Sequence, residues 1–455
     1  ADGSLSTPTA GTSNVRFGVN AGNSILDGGN YNTVVGDEAG TAILTGDQNT
    51  LVGYRAGTAV NTSVNNVAVG MDSMLTNTTG DNNVAVGREA LKRLTTTNNN
   101  VAVGSESLKE TITGTQNVAV GHTAGQFATT ADDSTFIGFQ AGKGITGAKL
   151  TGNRNTCVGA NAGLLLQGAA VENCIFGALA GDAITTGGEN CLFGMGAGGA
   201  IQTSIRNTFF GDDCGNTCTT GDSNVAMGHA AMGQGVTTGD FNIAIGFAAG
   251  SVLTSGTKNT LVGGLCGDNI NTGDLNTMIG YNLGNSATTV DDEVVIGNNV
   301  NGAGTNTVKI GTAAGNAVLN LDGSDTSWAA ASDERLKKDI VNSTVGLSFI
   351  NALRPVTFKW NAKDAIANTL PQYDADSSDP VYGVGKAHHG FIAQEVKAVI
   401  DANSDVVDGH NLWNTDSDGT QQVAQGALVP MLVKAIQEQN ALIEALTARI
   451  VTLEG

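Results

Sequence analysis

Asn83-Val-Ala-Val-Gly87-Arg-Glu-Ala-Leu91-Lys-Arg-Leu-Thr-Thr-Thr-Asn-Asn99 is followed at once by Asn100-Val-Ala-Val-Gly104, and that restart decides the fold. The segment Asn-x-x-x-Gly begins at residues 14, 32, 49, 66, 83, 100, 117, 155, 173, 190, 207, 224, 242, 259 and 276. Ser134 and Glu293 stand in for the Asn in two further copies, which makes seventeen. The step is 17 residues, slipping by one at 14→32, 155→173 and 224→242 and by more at 134→155. A beat this short and this sustained describes a solenoid in which each coil leans on the next.

Each coil is numbered here from its Asn as position 1. Positions 2–4, as in Val84-Ala85-Val86, Val118-Ala-Val120 and Ile243-Ala-Ile245, are apolar in succession, as a strand covered on both faces must be. One face is expected to fill the coil. The other, often with the small Ala of position 3, is expected to approach another chain closely. Gly at position 5 recurs in every copy and marks a corner that needs positive φ or has no room for a Cβ. Position 8 is Ala, Ser or Cys in nearly every coil, with Leu283 and Val300 the late exceptions. Positions 6 and 7 vary and are expected to face solvent, and the Thr/Gly/Asp-rich stretch beyond position 9 is turn chemistry. The recurrent Asn is expected to stack as an amide ladder. All five prolines lie at Pro8, Pro355, Pro371, Pro380 and Pro430, outside residues 9–354, as a backbone that spends its N–H groups on a ladder requires. At about 4.8 Å per coil the rod is on the order of 80 Å long.

Composition narrows the partners. The net charge of −20 and pI near 4.4 argue against a nucleic-acid surface, which needs Lys and Arg. No stretch reaches the ~18 apolar residues of a membrane span, and the opening Ala-Asp-Gly-Ser-Leu-Ser-Thr-Pro lacks the regions of a signal peptide. The six cysteines fall inside the repeats without CxxC or a Cys/His cluster, so free thiols, no metal and no cofactor are expected. Cys174 and Cys191, one residue after the Asn, read as small buried hydrophobes.

The motif Asn-x-Val-Ala-Val-Gly resembles the head repeats of trimeric autotransporter adhesins, over residues 14–311. Those heads are left-handed β-rolls with a somewhat shorter period, so a wider coil is expected here. The resemblance implies a homotrimer.

After Gly311 the beat stops, and a connector (312–331) leads to a different texture. Ser332-Asp-Glu-Arg-Leu-Lys-Lys-Asp-Ile340, Phe349-Ile-Asn-Ala-Leu353, Arg354-Pro-Val-Thr-Phe-Lys-Trp360, Gly390-Phe-Ile-Ala-Gln-Glu-Val396 and Leu428-Val-Pro-Met-Leu-Val-Lys-Ala-Ile436 follow in order. Together they resemble the intramolecular chaperone domain, peptidase family S74 type, that ends many phage tail fibres and tailspikes. The expected organisation is a leader (1–13), a β-solenoid shaft (14–311), the connector and an α+β chaperone domain (332–455). Independently of any family, Ile436, Ile443 and Ile450, with Leu432, Gln439, Leu446 and Leu453, fit the a and d positions of a closing coiled coil. Ile at a with Leu at d favours two strands, so a trimer must be imposed by the rest of the molecule. The same stripe also suits a helix packed on its own domain.

The family motif Ser-Asp-x-Arg-x-Lys falls on Ser332, Asp333, Arg335 and Lys337. By resemblance Ser332 is the nucleophile and Lys337 the base of a dyad that cuts the Ala331–Ser332 bond once. Gln394 and Glu395 are family-typical residues with structural or supporting roles. A lysine serves as base only with a neutral amine, which burial or neighbouring cations promote. Residues five apart on an α-helix point about 140° apart. The segment is therefore either not helical at its start, or a neighbouring chain supplies one partner. The plain alternative at Ser332 is a helix N-cap with acidic first-turn residues. His388 and His389, beside the Gln394 motif, read as surface histidines.

The function these readings favour is a trimeric tail-fibre protein of a phage, assembled in the host cytoplasm and carried on the virion. Its partners are other tail proteins and a host-surface receptor, a glycan or an outer-surface protein. Its chaperone domain drives trimer assembly. One alternative is a tailspike that degrades polysaccharide, for which Asp37-Glu38, Asp132-Asp133 and Asp212-Asp213 are the carboxylate pairs, more readily read as solvated turns. The other is a bacterial surface adhesin, disfavoured by the missing secretion signal and anchor strands.

Overall fold

A coil of seventeen residues closes on itself because its backbone turns to positive φ four times. In the coil of Asn83 the turns are at Gly87 (138°), Glu89 (58°), Leu91 (48°) and Asn99 (63°), and neighbouring coils repeat them at the same places. The computed structural model describes residues 10–321, 329–330, 334–382, 385–406, 411–416 and 419–454. The chain divides into two compact units, Ala1–Ala331 and Ser332–Gly455.

In the first unit, three-residue strands such as Val84–Val86 and Val101–Val103 pair in parallel, each with the same position of the next coil (Val84↔Val101, Ala85↔Ala102, Val86↔Val103). Eighteen rungs result, from Val15–Phe17 to Thr307–Thr312. The last is a copy the Asn count passes over, because Thr307 occupies position 1 after a step of only 14 residues. Within the stretch read as a connector, Gly315–Asn320 folds back antiparallel on Thr307–Thr312, and Ala329–Ala330 pairs with it in turn. These antiparallel strands close the end of the parallel stack. The long step at 134→155 leaves the coil as a small hairpin, with Ile145 bridged to Ala148, and rejoins at Leu150 between Ala128 and Gly168.

The position-5 glycines satisfy both halves of the expectation. Their φ runs from 127° to 155°, and from Gly18 to Gly297 an added Cβ would lie 1.5–2.7 Å from the next rung's glycine carbonyl oxygen. The amide ladder is present as well. The Asn100 backbone N–H and its Nδ2 both donate to Asn83 Oδ1 (3.0 and 3.2 Å), while Nδ2 also reaches the Gly114 carbonyl at 3.0 Å. Ser134 keeps only part of it, its Oγ accepting the Asn155 N–H at 3.2 Å. A second ladder runs two residues earlier: Asp47, Asp81, Asp132, Asp222 and Asp274 each accept the N–H of the residue 17 before them. Asp132 of the proposed carboxylate pair is therefore a turn staple.

Two expectations are corrected. Position 3 faces inward, so Ala68, Ala85, Ala102 and Ala119 are fully buried inside the coil, and positions 2 and 4 face outward. In four coils the small residue makes room for a large one at position 9, while Ala119 and Ala244 share their coils with Gly125 and Gly250. Ala68 faces Met74, Ala85 Leu91, Ala102 Leu108 and Ala226 Met232, whereas Val34, Leu51, Phe136, Ile175, Leu192 and Phe209 share their coils with glycine there. At Gly142 a Cβ would stand 2.0 Å from the Phe136 ring. Cys174 and Cys191, at position 2, are exposed on the outward face, while Cys157, Cys214, Cys218 and Cys266 are buried; all six are free.

Position 6 is exposed as expected at Tyr54, Phe139, Met195 and Phe247. Position 7 is not fully solvated, since Asp72 and Thr123 are buried. Across rungs it forms an ionic ladder: Lys92 bonds Glu89 (2.7 Å) and Lys109 bonds Glu89 (2.5 Å) and Glu106 (3.2 Å). Burial alone would raise the Glu89 carboxyl, but Lys109 and Lys92 overcome it and hold the pKa at about 2.

Candidate functional site

The second unit is built around Val345, Phe349, Leu353, Val396, Ile400, Val406, Leu412, Leu428 and Met431. Its helices are α1 (Leu347–Ala352), α2 (Ala393–Asp401) and α3 (Leu428–Glu454). The start of α1 has no capping side chain of its own. Glu438, about three turns into α3, accepts the Leu347 N–H at 2.8 Å instead, and so ties α1 to α3 across 91 residues. Strands Val356–Phe358 and His388–Gly390 pair antiparallel and deliver the chain into α2.

The expected site residues divide as follows. Ala331, Ser332 and Asp333 lie outside the described residues. Arg335 sits in a 3₁₀ turn, Glu334–Leu336, closed by the Lys337 N–H on the Glu334 carbonyl (3.0 Å). The described part of the segment is therefore a 3₁₀ turn, and Ser332, where the spacing question begins, lies outside it. Arg335 and Lys337 are exposed in the single chain. Gln394 is exposed in the first turn of α2. Glu395 grips Arg354 with both carboxylate oxygens, Nε at 2.9 Å and the second through Nη2. That hydrogen-bonded guanidinium holds the Glu395 carboxyl below its ordinary range. The pair pins the segment after α1 to the start of α2. His388 departs from the surface reading: it is half-buried, 5.7 Å from the Phe358 ring and 6.4 Å from Trp360, which meets Tyr382 edge-on at 4.9 Å. His389 is exposed, 3.4 Å from Thr357 Oγ1. The alternation His388-in, His389-out follows from the strand period, a signal available in the sequence once the strand is assigned.

Helix α3 separates into two parts. Leu428, Met431 and Ala435 pack into the unit's core. Beyond them Ile436, Ile443, Leu446, Ile450 and Leu453 are 45–79% exposed, so within one chain the heptad stripe is not packed on its own domain.

An equivalent surface runs along the solenoid. Position 4 is apolar in all eighteen rungs: Phe17, then Val or Ile, with Phe176, Phe193, Phe210 and Met227 in the middle, ending at Ile310. It faces outward throughout. Phe193 stacks between Phe176 and Phe210 at 5.2 and 5.0 Å, and Phe210 is half exposed.

Residues 332–405 match the family model described as chaperone of endosialidase, Peptidase_S74. The second unit carries a chaperone-of-endosialidase domain. The match begins at the residue where the second unit begins. Comparison with curated proteins and with solved structures gives no match. A parallel β-solenoid followed by this chaperone domain has the make-up of a tail fibre or tailspike. No helix among the described residues is long and apolar enough to cross a membrane.

Proposed function

We propose that the protein is a homotrimeric tail fibre of a phage that contacts the host surface, and that its chaperone domain sets the register of three solenoids. One observation carries this reading: apolar surface is left open in two places that share a period with themselves. The position-4 column repeats at every rung, and the α3 stripe repeats every seven residues. Soluble monomers rarely leave such continuous apolar strips uncovered. A surface with a rung-by-rung period is best covered by another copy of the same rungs. Long parallel pairing is slow to form and exposed to aggregation, so a compact trimer nucleus at one end meets a physical need.

Self-cleavage belongs to the same proposal. The Ser332 Oγ attacks the Ala331 carbonyl carbon as its proton passes to the neutral Lys337 amine. The peptide nitrogen leaves protonated as the new amino terminus, and water then hydrolyses the ester. Lys337 is exposed in the single chain, so a covering neighbour would provide the desolvation this step needs and make cutting wait for assembly. The test is denaturing electrophoresis of the wild type beside Ser332→Ala and Lys337→Met, with native mass of each. The proposal expects trimers in all three and a released 332–455 fragment in the wild type alone. A fragment that persists in Ser332→Ala overturns the assigned nucleophile, and monomeric masses overturn the fibre.

A further inference from the structure

Cys174 and Cys191 hold position 2 of successive rungs and are direct partners in the parallel register. Both are free and exposed on the outward face of the coil. Adjacent strands lie about 4.8 Å apart. That separation falls inside the roughly 4.4–6.8 Å between Cα atoms that a disulfide spans. The neighbouring position-2 residues on either side are Thr156 and Thr208, so the thiols form an isolated pair on this column.

The other four thiols differ in kind. Cys157, Cys214, Cys218 and Cys266 point into the coils and are buried. Cys214 donates to the Ala226 carbonyl at 3.0 Å and Cys218 to the Gly221 carbonyl at 3.6 Å. Burial pushes Cys214 and Cys218 up to about 12 and Cys266 to about 11, and partial burial beside Cys191 raises the Cys174 thiol as well, so what sets the pair apart is its exposure.

We propose that Cys174 and Cys191 are a modification site: a dithiol that closes to an intrachain disulfide, stapling two rungs, when the protein meets a small-molecule disulfide. One thiolate attacks a sulfur of the oxidant RSSR, forming a mixed disulfide and expelling RS⁻. The second thiolate then attacks the protein sulfur of that mixed disulfide and expels the other RS⁻. Two protein thiols and RSSR become one protein disulfide and two RSH, with the protein oxidised and the reagent reduced. The pair stays reduced where thiols are kept reduced and closes in an oxidising medium.

The test uses the full folded chain and oxidised glutathione. Before treatment, a chromogenic disulfide reagent counts two fast thiols, and the remaining four appear only in denaturant. After treatment no fast thiol remains, the chain is lighter by two hydrogens, and peptide mapping finds the 174–191 cross-link at single-chain mass on a non-reducing gel. Cys174→Ser, a conservative change on a Thr-lined column, keeps one fast thiol and retains one glutathione adduct, because nothing is left to resolve it. Two stable adducts on the wild type, or a cross-link between chains, overturns the proposal. So does the absence of any fast thiol in the folded protein, a result that leaves the oligomer's mass, and hence the fibre reading, untouched.

Discussion

The two units solve the same problem, burying apolar surface, in opposite ways. The solenoid encloses a core within every coil, so Ala85 and Leu91 are covered by their own seventeen residues and their immediate neighbours. What it leaves outside lies along the outward face of the rungs, with position 4 as its unbroken apolar column. The chaperone domain gathers a single small core from distant segments and then extends α3 well past it, with Ile443 and Leu446 each 60% exposed. Redundancy in the first unit makes each rung cheap to copy but sensitive to any atom that breaks the stack. The second unit has few such constraints and keeps its critical residues in an open helical stripe. The contrast therefore predicts where substitutions matter: backbone clearance and buried amides in the solenoid, outward side chains in the chaperone domain.

The largest effect is expected from Ile436→Asp together with Ile443→Asp. Neither residue supports its own domain, so both units keep their secondary structure while the oligomer is lost, as sedimentation or native mass would read. If the chain instead unfolds without changing its association state, the stripe belongs to the domain interior and the contrast fails. Next comes Gly104→Ala. With φ of 134° and a new Cβ 2.3 Å from the Gly121 carbonyl oxygen, it should destabilise the solenoid by about 3 kcal/mol or more in denaturant unfolding. Gly426→Ala in the chaperone domain, with open space around it, should stay within about 0.5 kcal/mol. Equal costs would erase the difference between the units.

Asn100→Ala sharpens the same point for polar groups. It removes the acceptor of the Asn117 N–H and the donor to the Gly114 carbonyl, both buried, and should cost about 1–3 kcal/mol. Gln394→Ala, exposed on α2, should leave stability unchanged within measurement. The smallest effect concerns acid. The Glu89 carboxyl has its folded-state pKa lowered to about 2 from an ordinary value of 4.5. Its stabilisation is complete above about pH 4.5 and fades as pH falls towards 2. Glu89→Gln should lower stability at neutral pH and flatten the stability profile across that window. An unchanged slope there would show that the ionic ladder is solvated decoration.

How much of this was legible in the residues follows from the same physics. The solenoid's Asn and Gly columns are periodic because every rung meets the same neighbour, and one chain displays seventeen instances of the rule. The direction of position 3 was misread because Ala looks suited to a chain contact. The compensating Leu91, Leu108 or Met74 six residues later was the signal that it points inward. Cys174 and Cys191 were misread for a related reason, since position 2 alternates with position 3 and so must face outward. The rung at Thr307 escaped because it lacks both the Asn and the 17-residue step. In the chaperone domain the order of motifs was readable, but contacts such as Glu438 to Leu347 or Arg354 to Glu395 join segments that no local pattern relates.

The most direct test is the native mass of the 455-residue chain held uncut by Ser332→Ala. The account predicts a particle of three 45.9-kDa chains that falls apart when Ile436 and Ile443 are made acidic. A folded particle of one chain, with the position-4 column and the α3 stripe both open to solvent, would contradict it.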